Sequence, residues 1–209
     1  MQRLSAALRA QSAEPVPIES RALGTLAYIR ASIESSGSMA VPGMAGIVMG
    51  GIGVLAALLA AQPRWSAYWL QIWLAAAAVA FVLGGTLTAR QAERGGRVRY
   101  LGPFRKLLLC LCPLLLAGAV LTFVLWSTGM ERLLAGMWLL LYGCALLSAS
   151  TVTNAKTMRL ICAMGALFVV LGMAAFALPA RAQTWLLGLG FGALHILFGI
   201  LIGRSNHGD

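Results

Sequence analysis

A lone histidine inside a long apolar run is the residue in this chain best placed to do chemistry. His195 lies in Trp185–Arg204, WLLGLGFGALHILFGILIGR, where an imidazole could serve as base, proton relay or pH sensor, or as a neutral hydrogen-bonded link between helices. A base needs a nucleophile or an acid beside it. No serine stands at a companion position, since Ser127, Ser148 and Ser150 fall in loops or at the ends of apolar runs. The six acids, Glu14, Glu19, Glu34, Glu93, Glu131 and Asp209, all lie outside those runs. The paired carboxylates of hydrolysis and the buried carboxylate usual in ion-coupled carriers are therefore missing. The other histidine, His207, sits in a polar tail, which argues against a bis-histidine haem. No catalytic, cofactor or metal residue is assigned, the chain is expected not to be an enzyme, and His195 is expected to be structural and neutral.

Two other sets of residues carry weaker signals. Cys110, Cys112, Cys144 and Cys162 fall at similar depth in the apolar runs. Cys110 and Cys112 point to different helix faces, and no histidine or carboxylate accompanies them, so small apolar filler is favoured over a thiolate metal site. Trp65, Trp69 and Trp73 recur every fourth residue and form a stripe. Anchoring at the membrane interface explains most of it, and a surface for an apolar or cationic ligand is the alternative.

These residues must be positioned by helices that cross a membrane. The chain has 209 residues, 60% of them hydrophobic and 11% charged, with a mean hydropathy of +0.84. That is far outside the range of soluble domains. Six apolar runs, at about 39–61, 66–89, 106–127, 132–150, 158–178 and 184–203, each approach the roughly 20 residues that span the hydrocarbon. The expected fold is an all-α bundle of six transmembrane helices over 39–204, arranged as three helical hairpins. Residues 1–16 read as a flexible tail and 205–209 as a polar tail.

The net charge of +10 reports topology rather than nucleic acid binding. With the N-terminus inside, thirteen basic residues are cytoplasmic and only Arg64, Arg132 and Arg181 lie outside. Both termini are then cytoplasmic, and the basic residues have affinity for anionic lipid headgroups. Residues 17–36 form an amphipathic helix with Ile18, Ala22, Leu26, Ile29 and Ile33 on one arc, lying along the interface or against a cytoplasmic partner. Arg90, Arg94, Arg97 and Arg99 crowd a cytoplasmic loop that runs to Phe104, suited to headgroups or to an acidic partner.

At roughly 100° per residue, Gly188, Gly192, His195, Gly199 and Gly203 share an arc of roughly 80° on the last span. Glycines four apart let helices approach closely, and Gly46 and Gly50 repeat the spacing in the first span. The two faces are expected to form one seam, with a homodimer seam as the alternative.

Tyr28–Glu34 followed by Ala40–Gly43, the segment Gly190–Gly199 and the segment Trp138–Gly143 resemble a family of uncharacterised bacterial six-span membrane proteins. The resemblance implies the six-span fold and a gene often placed beside a small winged-helix regulator. It implies no catalytic residue. The expected function is non-enzymatic association, as membrane partner of a cytoplasmic regulator or accessory subunit of a membrane complex. The alternative is a passive carrier or channel for a small uncharged or apolar solute.

Overall fold

The computed structural model describes residues 24–26, 28, 42–94 and 97–207. It divides into two units, Met1–Ser36 and Gly37–Asp209. In the first, Gly24–Leu26 and Tyr28 are helical, with exposed side chains. Leu26 of the expected apolar stripe is thus on a helix, whereas Ile18, Ala22, Ile29 and Ile33, and the tail 1–16, lie outside the described residues.

The second unit is all-α. Helix α1 covers Gly43–Ala60, a 3-10 helix Pro63–Tyr68, α2 Trp69–Arg94, α3 Arg97–Ser127, α4 Leu134–Ser150 and α5 Ala155–Ala177. The last span is built from α6 (Ala180–Leu187), a π-helical segment (Gly188–Leu194) and α7 (His195–His207). Among the described residues, six helical stretches are long and apolar enough to cross a membrane, which is compatible with a multi-pass membrane protein.

Local sequence sets most of the breaks. Gly129 takes a positive φ of 70° in the link between α3 and α4, a conformation that a side chain would strain. Asn154 caps α5, its side-chain oxygen accepting from the Thr157 backbone N–H at 2.8 Å. Pro179 stands immediately before the first residue of α6, where a missing N–H costs nothing.

One expectation is corrected. The basic segment is not a loop: α2 continues through Arg90 to Arg94, and α3 begins at Arg97 and carries Arg99. Arg, Gln, Ala and Glu are good helix formers, so the helices outlast the apolar runs. Ser205–His207 of the polar tail are the last residues of α7.

The closest pairings do not follow the hairpins. They join α4 to α5, and α1 to the last span. Phe168, Leu134, Leu139 and Leu187 are fully buried within this arrangement. The second and third spans are peripheral, with only 11% and 6% of their most apolar windows buried, against 33–44% for the other four. Among spans adjacent in sequence, α2 and α3 share the least contact.

Candidate functional site

Glycine backbones make the close approaches that build the site. A Cβ placed on Gly46 would lie 3.1 Å from the Gly199 Cα, one on Gly50 2.7 Å from the Gly192 carbonyl oxygen, and one on Gly199 2.8 Å from the Ile47 nitrogen. A Cβ on Gly192 would meet Val54, and one on Gly188 the Ala57 methyl, at 2.8 and 2.7 Å. Gly203 has open space at its own Cβ position, yet its backbone nitrogen would lie 2.6 Å from a Cβ on Gly43. The first and last spans therefore meet backbone to backbone.

A second glycine seam joins α4 to α5. A Cβ on Gly143 would lie 2.8 Å from the Gly165 carbonyl oxygen, and one on Gly172 3.1 Å from that of Gly136. These glycines are seven apart on each helix, a spacing unlike the pairs four apart in the first and last spans.

The His195 backbone faces α1 as that of Gly199 does, since a Cβ on Gly46 would lie 3.2 Å from the His195 carbonyl oxygen and 3.1 Å from the Gly199 Cα, yet the partners of the His195 side chain lie on other elements. The π-helical segment just before it widens the helix, so the phase between Gly188 and His195 departs from that of a continuous α-helix. Its ring turns instead toward Tyr142 on α4 and Phe168 on α5. His195 Nε2 lies 2.7 Å from the Tyr142 Oη, and Nδ1 lies 3.3 Å from the Gly190 carbonyl oxygen. A carbonyl only accepts, so the network assigns the proton to Nδ1, and the Tyr142 hydroxyl donates to Nε2. The ring stacks on Phe191 at 6.1 Å and meets Phe168 edge-on at 5.5 Å.

Beside this cluster lies a partly open cavity of about 350 Å³. Met49, Ile52 and Gly53 of α1, Trp73, Ala77 and Phe81 of α2, and Leu115, Gly118, Ala119 and Thr122 of α3 form most of its walls. Trp138 and Tyr142 of α4, with Phe191 and His195 of the last span, close its inner end. The walls are largely apolar, and 350 Å³ is within the range of small-molecule sites.

The three tryptophans of the expected stripe have separate fates. Trp65 lies in the 3-10 helix, whose tighter turn removes it from the α-helical register, and there it meets Tyr68. Trp69 stacks on Trp138 with centroids 5.7 Å apart and donates to the Thr184 hydroxyl at 2.9 Å. Only Trp73 of the three lines the cavity; it is buried, and its Nε1 has no hydrogen-bond partner.

The cysteines are free and dispersed, with Cys162 donating to the Ser150 hydroxyl at 3.1 Å. Among the described residues no three metal-binding side chains gather. Arg90 is exposed near the end of α2. Searches of family models, curated proteins and solved structures returned no match.

Sequence reasoning missed Tyr142 as a partner of His195. Its available signal was a phenol in the middle of an apolar run, which needs a polar partner when buried.

Proposed function

We propose that this is a non-enzymatic protein of the bacterial inner membrane, with both termini cytoplasmic, that holds a small, mostly apolar molecule in the cavity beside Tyr142 and His195. Of the two readings open to the sequence, passive handling of an apolar solute is favoured over pure association. The observation that carries it is the cavity itself: about 350 Å³ of space walled by aliphatic and aromatic side chains, where α2 and α3 touch each other little. A bundle acting only through its outer faces gains nothing from such a void, because unfilled space forfeits dispersion contacts. Entry runs laterally from the bilayer between α2 and α3, the two least buried spans. The basic residues at the ends of these helices hold anionic headgroups.

Native mass spectrometry of protein gently extracted from its own membrane tests the proposal. The expected result is a co-purifying small molecule that is lost from Ala119→Phe and Ala77→Trp, which fill the cavity from α3 and α2. A folded protein with no adduct, or an adduct equally retained by both variants, would overturn it.

A further inference from the structure

We propose that the molecule in the cavity is a hydrophobic alcohol or phenol whose hydroxyl donates a hydrogen bond to the Tyr142 oxygen. This rests on the cavity being a ligand site and deepens that reading to a chemical class.

Most polar atoms in the cavity wall already have partners within the protein. His195 Nδ1–H is engaged by the Gly190 carbonyl, 3.3 Å away. His195 Nε2 takes the Tyr142 proton across 2.7 Å. The opposite arrangement, with Nε2–H donating to the phenol, would leave the bare Nδ1 lone pair facing the Gly190 oxygen, two acceptors with no proton between them. The Trp138 indole N–H is spent on the Thr122 hydroxyl at 2.8 Å. The Thr122 proton is spent on the Gly118 carbonyl at 2.6 Å.

What remains in this set is acceptor capacity. The Tyr142 oxygen gives away its proton and, among the described residues, has His195 as its hydrogen-bond partner. A phenol oxygen in that state can still accept. A ligand O–H finds a partner there, whereas a ketone, quinone carbonyl, ester or ether brings only acceptors and leaves the Tyr142 oxygen unused. An ammonium is also a donor, but no carboxylate among the described residues lines the cavity to balance its charge. Trp73 also lines the cavity, and its buried N–H, without a partner among the described residues, is a donor that the oxygen of such a hydroxyl can satisfy. A hydroxyl both donates and accepts, as these two side chains require.

The test compares two probes that differ in a single hydrogen-bond donor: 4-octylphenol and its methyl ether, 4-octylanisole. Protein in lipid nanodiscs is equilibrated with each at matched concentration in the lipid, and retention is counted against empty nanodiscs. The phenol should bind about threefold to tenfold more tightly than the ether, the scale of one neutral hydrogen bond. Tyr142→Phe should lower phenol binding to the level of the ether. In protein labelled with ¹⁵N at histidine, the phenol and not the ether should move the His195 Nε2 resonance. Equal retention of phenol and ether, or a preference untouched by Tyr142→Phe, would overturn the hydroxyl assignment while leaving the cavity as a site. Retention of neither probe above empty nanodiscs would sink the cavity reading itself. Should Tyr142→Phe fail to fold, the phenol-to-ether ratio in the unaltered protein decides.

Discussion

Tyr142 and His195 stand 53 residues apart and close a polar contact inside an otherwise apolar bundle. Their bond fixes a tautomer, and that is measurable: the histidine ¹⁵N spectrum should show His195 protonated at Nδ1, with Nε2 as the hydrogen-bonded acceptor. A His195 signal protonated at Nε2 would invert the donor inventory of the cavity. Loss of the imidazole should nevertheless cost little stability. Polar contacts between membrane helices average about 0.6 kcal/mol, so His195→Gln should cost about 1 kcal/mol. Gly199→Leu should cost about 3 kcal/mol, because a Cβ there already lies 2.7 Å from the Gly43 carbonyl oxygen. Unfolding in mixed micelles would rank the two, and equal losses would contradict this account. His195 could be singled out in the sequence because an ionisable group in an apolar run is rare. Tyr142 could not be paired with it, since nothing local in WLLLYG says which distant helix its hydroxyl faces.

Helices packed through glycine tolerate no added bulk at the points of closest approach, and two such seams hold this bundle. Gly143→Leu should destabilise α4 against α5 by about 3 kcal/mol, whereas Gly85→Leu, with nothing within 4 Å of its Cβ position, should be nearly neutral. Comparable effects at both positions would remove the second seam from the account. Glycines four apart marked the faces of the first and last spans, while Gly136, Gly143, Gly165 and Gly172 gave no such local mark. The π-helical segment was also illegible, because GLGFGAL is compatible with any helix and the widening follows from packing on two sides. Gly192 meets Val54, while Gly190 meets Leu139 and Phe168. Deleting Leu189 should restore an uninterrupted α-helix and turn His195 away from Tyr142. The His195 Nε2 resonance should then lose its hydrogen-bond shift with helix content unchanged. Retention of that shift would show that the π-helix does not aim the ring.

At the scale of the whole molecule, hydropathy alone located the six spans, since no soluble core demands runs of this length. Which spans lie inside the bundle was not legible, because lipid-facing and helix-facing surfaces are both apolar. The proposed orientation predicts that cysteines at positions 64 and 181 are labelled from outside in intact cells and a cysteine at 97 only after permeabilisation; labelling of 97 in intact cells would reverse the bundle. The central claim is a bilayer-facing cavity that holds an apolar molecule against Tyr142. A density map of the protein, extracted with its native lipids into nanodiscs, tests it most directly. The account predicts elongated non-protein density between α2 and α3, with one end at hydrogen-bonding distance from the Tyr142 oxygen. Spans α2 and α3 closed on each other, with Ala77, Ala80 and Ala119 packed together and the space gone, would contradict it.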